Sequence, residues 1–176
     1  MNQKTLYSVK SGFLIALAGT LLMLILLVLN FVGPESIKKD KLMIGGTILF
    51  ISLYIFLLLG IYKSISNTKR ITQNLTFKSA FLTGFIVSLA TAIFSALFTL
   101  LFYEVIYPNY NADMTTVLTE KLSNQNLNET EMIKKINEQT KYYSTTMQAQ
   151  FSFVGNLITG IAFSLILSLF LKSKKN

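Results

Sequence analysis

The side chains able to do chemistry are few. The 176-residue chain has no Cys and no His. That removes disulfides, thiol nucleophiles, imidazole bases and His/Cys metal sites. Eight carboxylates remain: Glu35, Asp40, Glu104, Asp113, Glu120, Glu129, Glu131 and Glu138. They are scattered over two polar connections, and none sits among apolar neighbours that would raise its pKa toward a general acid. The Gly45-Gly46 pair lacks the Gly-Lys-Ser/Thr of a phosphate loop, and no GxSxG elbow is present. N-x-T occurs at Asn74 and Asn128, a pattern common by chance. The expectation is a protein that is not an enzyme, with no catalytic residue, cofactor or metal.

The elements that carry these residues belong to a membrane protein. Hydrophobic residues make up 52% and charged residues 14% of the chain, against about 25% charged in a soluble domain. Residues 12–31, 42–62, 79–103 and 151–171 contain no Asp, Glu, Lys or Arg. About 20 residues of helix cross a hydrocarbon core of about 30 Å, and a helix is required because lipid offers the backbone no hydrogen-bond partner. The first stretch reads as a retained helix rather than a cleaved signal, because it exceeds the usual apolar region and no A-x-A site follows it. The fold class is therefore all-α: an integral membrane four-helix bundle forming a single domain over 1–176, with an extracytoplasmic helical insertion at 104–150.

Charge sets the orientation. Residues 1–11, 63–78 and 172–176 hold nine Lys/Arg and no acid, while 32–41 and 104–150 hold seven Lys and all the acids. The positive-inside bias places both termini in the cytoplasm of a bacterium, with the chain in its inner membrane. The basic loop 63–78 suits anionic lipid head groups, at about 1 kcal/mol per charge, better than nucleic acid. The tyrosines fit an interface belt: Tyr103, Tyr107 and Tyr110 after the third span, Tyr142 and Tyr143 before the fourth, Tyr7 and Tyr62 at the cytoplasmic ends.

In the 104–150 insertion, Pro108 to Asn111 reads as a turn and Asp113 as an N-cap. Met114, Val117, Leu118 and Leu122 then fall on one helical face. Residues 123–128 break that helix, and Asn128 with Glu131 forms a capping box for a second. Glu131–Lys135 and Lys134–Glu138 are helical ion-pair spacings, and Ile133, Ile136, Thr140 and Tyr143 form the less polar stripe. This helix runs toward the fourth span, with Ser144-Thr145-Thr146 its weak point. The hairpin is a lid on its own bundle or a docking surface.

Small residues recur every four positions along the third span (Ala80, Gly84, Ser88, Ala92, Ala96) and the fourth (Asn156, Gly160, Ser164, Ser168). They mark the helix–helix seam, since close approach drives association in lipid. The sharper alternative is a polar path lined by Ser88, Ser95 and Ser164. Asn30 and Asn156 are the most polar side chains in or beside the spans, and interhelical or interface hydrogen bonds are expected of them. Aligning Lys10-Ser11 with Lys78-Ser79, and Lys63-Ser64 with Lys172-Ser173, pairs Gly46 with Gly155 and suggests two copies of one hairpin.

The lead-in from Leu75 through Gly84, the outer hairpin, and the ending from Phe151 through Gly160 to Lys172 together resemble the bacterial membrane proteins grouped as domain of unknown function 4199. The resemblance implies a small four-span membrane protein and supplies no activity, substrate or site residue. The function expected is a non-enzymatic structural or interaction protein, its partners the bilayer and a second copy or another membrane protein; the alternative is a small transporter or channel subunit acting as an oligomer.

Overall fold

Long charge-free runs without Pro leave the backbone nothing to do but hydrogen-bond to itself, and the computed structural model of the protein is built from helices throughout. It describes residues 3–125 and 128–173. Lys174 and Lys175 of the C-terminal charge set lie outside the described residues. Four helices are long and apolar enough to cross a membrane: α1 (Gln3–Val28), α3 (Leu42–Thr72), α4 (Phe77–Leu101) and α7 (Thr145–Leu171). Three short helices join them at one end: α2 (Pro34–Lys38), α5 (Tyr110–Ser123) and α6 (Glu129–Thr140).

The helices overrun the apolar stretches. α3 continues to Thr72, so much of the basic segment expected as a loop is helix. At 1.5 Å per residue its 31 residues span about 46 Å, well beyond a hydrocarbon core. α4 passes into a π-helical turn at Phe102–Ile106, and α7 begins six residues before its apolar stretch. α1 instead stops short, at Val28. Asn30 takes φ 59°. The Phe31 amide donates to Leu26 O at 2.8 Å and the Asn30 amide to Leu27 O at 3.0 Å. This is a Schellman ending with Asn30 at its left-handed position. The role of Asn30 is thus helix termination rather than an interhelical hydrogen bond. Asp40, at φ 53°, ends α2 in the same way, with the Lys41 amide donating to Ser36 O at 2.8 Å.

α4 is the central helix. It packs on α1, α3 and, most extensively, α7. Of its most apolar window 39% is buried, against 11% for α3, whose other faces carry exposed Ile and Leu. Toward the basic end, Leu57, Ile61 and Ile65 of α3 are fully buried with Val87 and Ala80 of α4, and Phe163, Leu167 and Leu171 of α7 close over them. Ser64 donates to Ser11 at 3.0 Å, tying α3 to α1. Its counterpart in the hairpin alignment, Ser173, pairs instead with the Leu75 backbone at 2.8 and 2.9 Å. The two hairpins are therefore fastened differently at this end.

At the other end α5 folds down onto the long helices. Met114, Val117, Leu118 and Leu122 are buried as the spacing predicts. Asp113 is not the cap: α5 starts at Tyr110, and the Asp113 carboxylate accepts from the Tyr107 hydroxyl at 2.8 Å. Tyr103 and Tyr110 are not belt residues either. Both are buried, with rings 5.0 Å apart edge to face, in a cluster with Phe102, Ile37 and Met114. The aromatic count near this end reflects a second core, not only an interface. Lys121 joins α5 to the α2 turn, pairing with Asp40 and donating to Ile37 O at 3.2 Å. α6 differs: Asn128 Oδ1 caps it, accepting from the Glu131 amide at 2.8 Å, but no residue of α6 is buried. Neither expected ion pair along α6 closes among the described residues. A 3-10 turn at Lys141–Tyr143 and extended backbone at Ser144 then separate α6 from α7, at the predicted weak point.

Candidate functional site

The packing between the long helices changes along their length. In the middle, α4 and α7 touch backbone to side chain. A Cβ placed on Gly84 would lie 2.6 Å from Ser164 Oγ, and one on Gly160 would strike Ser88. Nearer the capped end the helices part. Small residues there face a space instead of a neighbour: Gly46 and Gly155 would meet nothing within 4 Å of a Cβ. The result is a cavity of about 520 Å³ among α1, α3, α4 and α7. That is within the usual range of roughly 300–1,000 Å³ for small-molecule sites.

Each wall follows from a local choice of residue. Ala16, Gly19 and Thr20 keep α1 thin. Leu49, Phe50, Leu53 and Tyr54 come from α3. Ser95 and Thr99 come from α4, and Ser152, Gly155 and Asn156 from α7. Tyr103, Tyr110, Met114 and Tyr143 roof it, so the cap is a lid on the helices beneath it. Tyr54 against Phe163, with centroids 6.2 Å apart and rings near perpendicular, joins α3 and α7 at the floor. Two of the polar side chains bond to backbone carbonyls of their own helices. Thr99 donates to Ser95 O at 2.8 Å, and Asn156 Nδ2 donates to Ser152 O at 2.7 Å. Among the described residues Asn156 Oδ1 has no donor, leaving one carbonyl acceptor in the wall.

Three tyrosines at the capped end hold their protons more tightly than a free phenol does. Burial first, then the hydrogen bond to Asp113 and its charge, push the Tyr107 phenol up to about 12. Burial, then its neighbours Tyr143 and Tyr107, push Tyr110 up to about 12 as well. Burial also raises Tyr143. No group of three or more acidic residues is placed to hold a metal ion among the described residues.

The same fold accounts for nearly the whole sequence, and a family model described as "Protein of unknown function (DUF4199)" matches residues 10–173. The chain belongs to the DUF4199 family. The match takes in nearly all of the four long helices, the cavity and its roof, in agreement with the resemblance carried by the third and fourth spans. No curated protein and no solved structure matches the chain.

Two residue groups singled out in this DUF4199 sequence come together and one does not. Ser88 and Ser164 meet in the α4–α7 seam, both fully buried. Ser95 lies apart from them, in the cavity wall. Gly46 and Gly155, paired by the hairpin alignment, border the same cavity from α3 and α7. The roof tyrosines were legible only as aromatic abundance, because a belt residue and a core residue have the same sequence signature.

Proposed function

We infer that this DUF4199 protein is a non-enzymatic integral membrane protein of the bacterial inner membrane, with both termini cytoplasmic, and that it works by binding other membrane components. The observation that carries this reading is α6. α5 beside it is anchored by five buried side chains, yet α6 is capped at its start, stopped by a 3-10 turn, and has no buried residue among its twelve. With Ile133 exposed and Met132 and Ile136 half-buried, α6 offers an apolar edge for another membrane component to cover. Glu35, Asp113 and Glu120 come to line one groove of about 400 Å³ at the capped end, where Lys38 pairs with Glu35 and the Tyr107 hydroxyl donates to Asp113.

The basic end supports the orientation. Lys69 and Arg70 lie in the last turn of α3, and Lys4 and Lys78 flank a groove of about 400 Å³ with Ser8 and Ser79. Cations so placed suit anionic lipid heads, at about 1 kcal/mol each. Against a transporter or channel subunit stands the seam: Ser88 and Ser164 direct their hydroxyls to their own helices and need no water.

The test is a photo-crosslinking amino acid at Ile133 or Ile136 in native membranes, with Val154 as the lipid-facing control. A defined adduct at the α6 positions that is absent at Val154 is expected. Labelling of lipid alone at every position overturns the interaction reading.

A further inference from the structure

The cavity is roofed at the capped end and opens to the side. Its roof is the second core of the protein, where Phe102, Tyr103, Tyr110 and Met114 are all buried. Its floor is the contact of Tyr54 with Phe163. Between them, on the face shared by α3 and α7, Gly46 and Gly155 are exposed and unobstructed, and Phe50 and Phe151 flank them, also exposed. Exposed Met43 of α3 and Ile158 of α7 lie one turn from Gly46 and Gly155 on this surface. On the membrane reading argued above, on which this inference rests, that surface faces hydrocarbon.

Depth fixes the class of occupant. From Leu42 at the top of α3 to Tyr54 at the floor is about 18 Å at 1.5 Å per residue. Half of a hydrocarbon core is about 15 Å. The cavity thus runs the depth of one leaflet and stops there. Its walls are mostly apolar: Thr20 and Thr99 spend their hydroxyl protons on their own helices, and Tyr143, Gln148 and Ser152 lie toward the capped end, level with where a lipid chain meets its head group. We propose that this cavity is a binding site for one acyl chain of an outer-leaflet phospholipid, admitted sideways between α3 and α7 past Gly46 and Gly155.

An acyl chain fits better than a water-soluble ligand because the mouth at Gly46 and Gly155 faces lipid. It fits better than a helix of a second copy because the space lies inside the ring of four helices, behind a mouth framed by two glycines. The bound chain restores the van der Waals contacts that the parted helices lack, and the donors available to its ester oxygens at the capped end are the Tyr143 hydroxyl and the second N–H of the Gln148 amide, whose first goes to Tyr142 O.

The experiment uses the full chain in phosphatidylethanolamine–phosphatidylglycerol vesicles, doped with a phosphatidylcholine carrying a diazirine in its acyl chain. After irradiation, labelled peptides are mapped. Labelling on Leu53, Tyr54, Ser95 and Thr99, which face the cavity, is expected alongside the general labelling of lipid-facing Leu169 and Phe170. Gly46→Phe and Gly155→Phe plug the mouth at positions with open space. Each should cut cavity labelling several-fold while leaving Leu169, Phe170 and the thermal melt unchanged. Cavity labelling absent, or indifferent to the plugs, overturns the proposal. So does labelling from a diazirine fatty acid added from water that exceeds labelling from the phospholipid, or copy-to-copy crosslinks through the mouth. Absence of label everywhere, including Leu169 and Phe170, overturns the membrane reading itself.

Discussion

Ser88 and Ser164 face each other across α4 and α7 with their hydroxyl oxygens 3.3 Å apart, each seated on the other helix's glycine. Each hydroxyl has one proton. Ser88 donates its proton to Gly84 O at 2.8 Å and Ser164 donates to Gly160 O at 2.6 Å. The pair is therefore a packing contact, and two Gly-x-x-x-Ser runs on antiparallel helices fit ridge to hollow.

That fit predicts the response to added volume. Gly84→Leu must displace Ser164 and Ile61, and Gly160→Ala must displace Ser88. Overpacking of this kind costs roughly 1–3 kcal/mol. Gly155→Ala meets nothing and should be neutral or gain up to about 1 kcal/mol of helix propensity. Thermal melting in detergent separates the cases; equal melting of Gly160→Ala and Gly155→Ala would contradict the seam.

The cap is held by burial more than by its ion pair. Met114→Ala should cost roughly 2–5 kcal/mol, as for other fully buried side chains. Lys121→Met removes a largely exposed pair with Asp40 and should cost at most about 1 kcal/mol. Hydrogen exchange over 110–123 reports both: fast exchange is expected in the first variant and near-native exchange in the second.

High pH should loosen the same region. A phenol's ordinary pKa is about 10, and the folded protein raises Tyr107 and Tyr110 to about 12. The native state thus holds these protons more tightly than the unfolded chain does. The stabilisation is complete below about pH 10 and is lost as pH rises through the folded value. Tyrosinate absorbance should show a late component that shrinks in Tyr107→Phe and in Tyr110→Phe. Complete ionisation of both near pH 10 would contradict the burial of Tyr110 and the hydrogen bond from Tyr107 to Asp113.

α6 depends on its cap. Asn128→Ala removes the acceptor for the Glu131 amide and should cost the helix about 1 kcal/mol. Since α6 has no fully buried residue, exchange should rise over 129–140 while the melt of the whole protein stays put.

The sequence by itself determined the four long helices, the seam and the two-helix insertion. Each rests on a local regularity: span length, a four-residue spacing of small side chains, a turn or a cap. Asn128 and Ser144 were readable because caps and breaks act on adjacent residues. Only the tertiary structure decided what Asn30, Asp113 and the tyrosines do. Asn30 caps a helix through its backbone angle, and Asp113 meets Tyr107 across a turn. Tyr103 and Tyr110 are core because α5 folds back onto them, a long-range contact that aromatic frequency does not encode. The cavity is the clearest case. It exists where α3 and α7 part, and Gly46 and Gly155 look like any other span glycines until helices that share no sequence neighbourhood are set around them.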